Sequence, residues 1–349
     1  MDNKISVVIP CFNGEKYIVE SVNSILNQKH VSEFIEIIVV DDGSTDGSFK
    51  VIKEKFGNFK NIKLLKEPHR GIVGTVSKGL EFATGSFIAL QGADDISKPE
   101  RIEKELNVLL DNKDIGLVFS DTSIISKNGE RLYDSFWEFA KINPKRGKPI
   151  FELLKGNFAS GGTFLFRKEI LNFATPIPSF LPFEDWWIAL IAATFSKIEY
   201  LNDQLVYYRF HGGNAVLKVN DSLKEDYIQL EDYAKLYENL SKNLENHIQM
   251  LETFQERLKL FDDFINKQEK NKILNYTIKI KNSLMDSRKF TQIRVSLYKD
   301  RNFISRLNHF LKLTKNVNKY PKKVGYIKDF IYFISPTLAI KIIKNMKAR

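Results

Sequence analysis

Two runs of β-branched residues, Ile5–Pro10 (ISVVIP) and Ile35–Asp41 (IEIIVVD), each lead into a polar turn and then a stretch of helical spacing. That repeat limits the fold more than any other feature. The runs are apolar almost throughout instead of alternating, as strands buried on both faces of a parallel sheet require. Lys16–Asn27, Ser48–Phe56 and Val73–Phe82 have helical spacing, and they separate these strands from two more, Asn61–Lys66 and Phe87–Gln91. Strands joined by helices predict βαβ crossovers, so the fold class is α/β.

Beyond Pro99 the pattern loosens. A helix is expected over Pro99–Asp111 with proline at its start, and a short strand over Gly116–Ser120. Asn128-Gly129 reads as a hairpin turn. An apolar strand should follow Gly161-Gly162, and an apolar helix spans Glu184–Phe195. Past about Ala215 the texture changes to long helical stretches almost free of Gly and Pro until Pro321. The expected organisation is an α/β domain over 1–215 and a mostly α-helical extension over 216–349.

Charge separates the same two parts. The net charge is +10, but residues 271–349 carry +16 while 1–215 carry −2 and 216–270 carry −4. The basic character belongs to the tail, which suits an anionic membrane surface, nucleic acid or solubility. The lone cysteine, Cys11, excludes an internal disulfide framework and fits a reducing compartment. No secretory leader is read at the start. The most apolar late segment, Ile327–Ile343, is interrupted by Lys328, Asp329, Pro336 and Lys341, so it is expected to lie on a membrane, not to cross one.

Carboxylates stand where an α/β sheet presents ligands. Asp41 and Asp42 leave the second strand in VVDDGSTDGS, at the strand end where open sheets bind ligands. Ser44, Thr45 and Asp46 also suit a turn and helix cap, but capping does not ask for two adjacent Asp, and a carboxylate there can accept the imide N–H of a pyrimidine. Asp94 and Asp95 leave the strand Phe87–Gln91. Adjacent carboxylates repel, which a hard divalent ion such as Mg²⁺ or Mn²⁺ would relieve. Glu184 and Asp185 open the apolar helix beside Trp186 and Trp187. The helix dipole explains one acid; the other suits a general base on an acceptor hydroxyl. The two indoles fit a sugar platform or the core. Arg209 and His211 end an apolar strand, where Arg suits phosphate and His a metal or phosphate.

In this order the segments resemble family 2 glycosyltransferases of the GT-A fold. SVVIPCFNGEKYIVESVNSILNQ looks like the family's opening, and IEIIVVDDGSTDGS like its nucleotide-binding turn. LEFATGSFIALQGADD looks like its Asp-x-Asp region, FEDWWIAL like its base motif, and YYRFHGGNA like its closing Arg-x-His segment. The likeness spans roughly 4–215. It implies a mixed nucleotide-binding sheet flanked by helices and an inverting, non-processive transfer from a nucleoside-diphosphate sugar. Asp42 would contact the donor's pyrimidine, with Pro10, Asn13 and Asp41 also at the nucleotide. Asp94, Asp95 and His211 would hold Mg²⁺ or Mn²⁺, and Asp94 and Arg209 would reach the diphosphate. Asp185 would deprotonate the acceptor, with Glu184, Trp186 and Trp187 at the acceptor site.

One departure stands out: many members carry Asp two residues before Asp94, where this chain has Gly92. DSFWEFAKINP, GGTFLFRKE and the stretch from Glu184 to Val216 look like a rhamnosyltransferase-like branch that builds bacterial capsule, rhamnan or lipopolysaccharide side chains. That branch implies dTDP-rhamnose or a UDP-sugar as donor and a saccharide or lipid-linked saccharide as acceptor. It also implies peripheral association with the cytoplasmic face of the plasma membrane through the basic tail, with a homo-oligomer through the helical extension as a further option.

Three rivals are weaker. A nucleotide-sugar pyrophosphorylase would carry a Gly-rich, Arg-containing phosphate loop where this chain has CFNGEKY. Nucleic-acid binding through Phe290, Tyr298, Phe303, Phe310 and Tyr320 among the tail's basic residues competes with ordinary core spacing, so no nucleic acid is expected. An inactive scaffold would not retain Asp94, Asp95 and Asp185.

Overall fold

The computed structural model describes residues 3–211 apart from 180 and 182, together with Asn214 and the isolated positions Asp263, His309, Leu311 and Lys312. The chain divides into two compact units, Met1–Lys224 and Glu225–Arg349. The boundary expected near 215, the helical extension and the apolar segment Ile327–Ile343 fall outside the described residues, those isolated positions aside. Among the described residues no helix is long and apolar enough to cross a membrane.

The first unit begins as the periodicity predicts: β1 (Ile5–Cys11), α1 (Ile18–Leu26), β2 (Ile35–Asp42), α2 (Ser48–Phe56), β3 (Ile62–Glu67), α3 (Gly71–Phe82) and β4 (Phe87–Leu90). β1 pairs in parallel with both β2 and β4, and β2 with β3. Every residue of β2 is buried, and in β1 only Pro10 is half-buried. Both faces of these central strands are therefore covered, which is why their sequences do not alternate.

Next come β5 (Ile96–Ser97), α4 (Arg101–Asp111), β6 (Ile115–Ser126), β7 (Arg131–Tyr133), α5 (Phe136–Phe139) and α6 (Ile150–Lys155). They are followed by β8 (Leu165–Arg167), α7 (Leu171–Ala174), α8 (Glu184–Phe195) and β9 (Lys197–Phe210). One nine-stranded sheet has the order β3-β2-β1-β4-β8-β6-β9-β5, with β7 on β6. β8 runs antiparallel to both β4 and β6, so the sheet is mixed. The Asn128-Gly129 turn joins β6 to β7 with Gly129 at φ +88°, as expected for that pair. β6 is much longer than the short strand expected, because Asp121–Ser126 pairs with the far half of β9.

Topology fixes where a ligand can sit. The chain runs outward through β1, β2 and β3, then returns to place β4 on the other side of β1. Strand order reverses there, and crevices of open α/β sheets form outside the carboxyl ends of the strands at such a point. β4 stops opposite Val8, so Pro10 and Cys11 project past it. The turns after β1, β2 and β4 all open onto this edge.

Candidate active site

The loop after β1 is stapled to the turn after β2. Asn13 N–H donates to Ser44 Oγ (3.0 Å), Thr45 N–H to Asn13 Oδ1 (2.9 Å), and Gly14 N–H to Ser48 Oγ (2.8 Å). Asn13 adopts φ +52°, a left-handed conformation that Asn tolerates better than most residues. The Ser, Thr and Asp of the GSTDGS turn are thus partners of the neighbouring loop as well as helix-start residues.

The adjacent carboxylates have different surroundings. Asp42 accepts Arg70 N–H at Oδ1 (2.7 Å) and Gly71 N–H at Oδ2 (3.0 Å), with His69 Nδ1 also 3.0 Å away. Expected at the donor's base, it caps the start of α3, with a backbone N–H bound at each oxygen. Asp41 is fully buried, accepts Ser44 N–H at Oδ1 (3.2 Å), and has no hydrogen-bond partner at Oδ2 among the described residues. A buried acceptor left open is costly unless a ligand meets it. Beside them Phe12, 49% exposed, lies with its ring centroid 4.4 Å from that of His69. The sequence reading missed this pair. An exposed aromatic directly after the first strand was its one available signal.

At the end of β4 the acidic turn is locked from three sides. Asp95 is buried and accepts Arg209 N–H at Oδ1 (2.9 Å). Burial, then the neighbouring Asp94 charge, pushes its carboxyl well above the ordinary carboxylate range. Its other oxygen folds back over Gly92: a β-carbon at residue 92 would stand 2.4 Å from Asp95 Oδ2. The glycine that departs from the family pattern is what this arrangement of Asp95 requires.

Arg209, expected at the diphosphate, is held among protein groups. Its guanidinium is buried, donates to Glu20 (2.6 Å), the Asp94 carbonyl (2.9 Å) and the Lys127 carbonyl (3.4 Å), and lies over the Tyr17 ring. These bonds take Nε–H and one N–H on each of Nη1 and Nη2, and they clamp the acidic turn. The expected trio of metal ligands is likewise not assembled. His211 Nε2 lies 2.8 Å from Asp94 Oδ2, while Asp95 faces the Arg209 backbone. Among the described residues no group of three or more His, Cys, Asp or Glu side chains is gathered as a metal cage. The pair still fits a Mg²⁺- or Mn²⁺-type ion, which commonly takes one or two protein ligands and completes its shell with substrate phosphate and water.

Behind the turn sits a residue the sequence reading passed over. Arg101 is fully buried and donates to Gln91 Oε1 (2.8 Å), Ser97 Oγ (2.9 Å) and the carbonyls of Leu90 (3.0 Å) and Phe164 (3.2 Å), with Glu105 as counter-charge at 3.3 Å. Gln91 in turn donates to the Asp95 carbonyl (3.0 Å). A buried guanidinium with all its neighbours hydrogen-bonded rigidifies what it touches, here the backbone that carries Asp94 and Asp95. In sequence Arg101 is one charged residue among several in the helix expected over Pro99–Asp111.

The third carboxylate group opens α8. Of that helix's twelve residues only Asp185 and Phe195 are not buried. Asp185 accepts Asn157 Nδ2–H (3.0 Å) and Trp186 N–H (2.6 Å) at Oδ1 and Gly161 N–H (3.1 Å) at Oδ2. Trp186 and Trp187, expected at an acceptor, belong to the core. They are 4% and 2% exposed, and their indole N–H groups donate to the carbonyls of Leu153 (2.7 Å) and Ala174 (2.9 Å). Neither offers a face to a sugar.

Glu184 is buried as well, and its Oε2 has no hydrogen-bond partner among the described residues. Burial, then the Asp185 charge, pushes its carboxyl up to about 8. The folded state therefore keeps a proton that the unfolded chain loses above its ordinary value of 4.5. Stability should fall as pH rises through that window and level off above it. Glu184→Gln removes the titration. Relative to wild type it is expected to gain roughly 2–5 kcal/mol at pH 8.5, shrinking toward zero near pH 4.5. Urea unfolding of both proteins at the two pH values checks this, and a difference independent of pH would show that Glu184 is not held neutral.

The short 3₁₀ turn Gly161–Thr163 joins Asp185 to the acidic turn. Gly161 N–H binds Asp185, while a β-carbon on Gly162 would stand 3.5 Å from Asp95 Oδ2. Two consecutive residues thus stand next to the two carboxylate centres.

Comparison with known proteins agrees with this architecture. The family described as glycosyl transferase family 2 matches residues 6–173. An uncharacterised glycosyltransferase of Nostoc sp. is 31% identical over 228 residues, 64% of this chain and 69% of that protein. Chondroitin synthase of Pasteurella multocida is 25% identical over 328 residues, 92% of this chain but only 31% of its own length. The crystal structure of S. aureus TarS 1-349 in complex with UDP-GlcNAc matches with a TM-score of 0.53 at 19% identity, covering 91% of this chain and 93% of that one. That likeness carries the fold, a GT-A-type mixed sheet flanked by helices. The match to the Nostoc protein over more than two thirds of its length, joined to the family pattern over 6–173, shows that this chain belongs to glycosyltransferase family 2.

Proposed function

We propose that the chain is an inverting glycosyltransferase that moves a sugar from a pyrimidine nucleoside-diphosphate donor to a saccharide acceptor in polysaccharide synthesis. The observation that carries this reading is the Gly161–Thr163 turn, which holds Asp185 beside the Asp94–Asp95 turn at the switch-point edge of the sheet. Asp41 Oδ2, sealed from solvent in this structure, would turn toward the crevice to accept the base's imide N–H, and Phe12 offers an exposed ring on which the base can stack. An acceptor hydroxyl gives its proton to Asp185 as its oxygen attacks the anomeric carbon. The bond from that carbon to the diphosphate breaks on the opposite face, so one displacement inverts the configuration. Asp94 and His211 would hold a divalent ion, whose positive charge would stabilise the departing diphosphate. Holding donor and acceptor in line supplies much of the remaining acceleration. Similarity to the chondroitin and hyaluronan synthases of Pasteurella multocida supports the polysaccharide setting, and the UDP-GlcNAc bound by TarS supports a UDP-sugar beside dTDP-rhamnose as donor.

A thermal-shift panel of UDP-, dTDP- and GDP-sugars with Mn²⁺ tests the donor class. A ligand at a hundred times its Kd should stabilise the protein by about 2.7 kcal/mol. UDP or dTDP donors should bind at least several-fold more tightly than GDP donors, and Asp41→Asn should erase most of that preference, since an unpaired polar group costs about 1–3 kcal/mol. Equal stabilisation by all three nucleotides would remove Asp41 from the base site. No stabilisation by any of them would remove the donor reading.

A further inference from the structure

The glycine pair in the 3₁₀ turn determines more than proximity. A methyl group on Gly161 would meet Asp185 Cβ at 2.9 Å, closer than such contacts are made. On Gly162 it would meet only Asp95 Oδ2 at 3.5 Å and Gly92 N at 3.8 Å, both ordinary contacts. Gly162 is half-buried, and its φ lies outside the left-handed region, so alanine fits the backbone. Neither packing nor conformation explains a glycine there. What would explain it is the space in front of it, between Gly92 and Asp95 on one side and the Asp185 held by Gly161 on the other.

We infer that Gly162 sets the room for the transferred sugar and so decides which nucleotide sugars the site accepts. The inference rests on the glycosyltransferase reading. In an in-line displacement the sugar ring must lie between the diphosphate, at the acidic turn, and the base. The bare backbone at residue 162, next to the Asp95 carboxylate that covers Gly92, lines that gap, and one face of a hexose ring can lie against it. A single added methyl in such a lining discriminates by about 10- to 200-fold.

The test uses the full chain as wild type, Gly162→Ala and Gly161→Ala. Calorimetry with Mn²⁺ measures binding of UDP, dTDP, UDP-GlcNAc and dTDP-rhamnose, and donor turnover with Mn²⁺ is measured alongside. Gly162→Ala should melt with wild type and bind the free diphosphates within twofold. It should bind the better nucleotide sugar at least tenfold more weakly. Gly161→Ala should show the opposite split, with donor affinity kept and turnover lost through displacement of Asp185. Unchanged sugar-nucleotide affinity in Gly162→Ala would overturn the inference, as would equal loss of diphosphate and sugar-nucleotide binding. Loss of its cooperative melt would overturn it too, by showing the position to be packed. Wild-type protein that binds none of the probes would instead overturn the donor reading on which the inference stands.

Discussion

Asp185→Asn is expected to lower sugar transfer by about 10²–10⁴-fold while leaving nucleoside-diphosphate affinity within about twofold, because general-base loss acts on the acceptor's proton alone. The geometry favours Asp185 over Glu184 for the proposed role. Glu184 is sealed in the core, and its raised carboxyl holds a proton. Asp185 alone of the first turn reaches the open side, with Asn157, Gly161 and Trp186 fixing its orientation through three N–H donors. Asparagine keeps the shape but replaces one acceptor oxygen with an N–H₂ group, which must then face one of those donors. A stability loss of about 1–3 kcal/mol should therefore accompany the loss of activity. Asn157→Ala separates the two effects: the base survives with one orienting contact fewer, so transfer should fall by no more than about tenfold. Transfer by Asp185→Asn within a few-fold of wild type would reduce Asp185 to a helix cap.

Much of the fold was legible because its first half obeys simple rules. Apolar runs such as Ile5–Pro10 and Ile35–Asp41 mark strands covered on both sides, and their ends bring Asp41, Asp42, Asp94 and Asp95 to one edge. Ser48–Phe56 and Glu184–Phe195 are helices with the bounds their sequences predicted. What was not legible depends on partners far along the chain. Asp41 and Asp42 are neighbours of one chemistry, and only the arrival of Arg70 and Gly71 makes one a cap and leaves the other with an open oxygen. Arg209 reads as a phosphate ligand until Glu20, Tyr17 and Lys127 are seen around it. Trp186 and Trp187 beside two acids fit a sugar platform or the core, and α8, apolar on all sides, must be buried, which takes the indoles with it. Gly92 was read as a lost ligand. In the fold it is the space into which the Asp95 carboxylate turns.

Chelation is expected to silence the enzyme and Mn²⁺ or Mg²⁺ to restore it, with Asp94→Ala losing at least about 10²-fold in kcat/KM. The size follows from what a cation supplies at a departing diphosphate, several kcal/mol of charge stabilisation, where each 1.36 kcal/mol is tenfold. The effect should concentrate in the diphosphate. Calorimetric binding of UDP in the presence of Mn²⁺ should collapse in Asp94→Ala, while uridine, which lacks the phosphates, should bind as to wild type. His211→Ala should behave in the same direction but more mildly, since the imidazole 2.8 Å from Asp94 supplies one ligand and leaves the carboxylate in place. Asp95→Asn should differ from both. Its Oδ1 holds the Arg209 backbone, and its Oδ2 lies against Gly92. Because burial already pushes the Asp95 carboxyl toward its neutral form, the amide should disturb mainly the contacts with the Arg209 backbone and Gly92, and alter stability more than metal affinity. Full activity in excess chelator would show that fixed cations neutralise the leaving group instead. Arg70, half-exposed at the start of α3 and paired with Glu67 at 3.3 Å, would then be the first residue to replace.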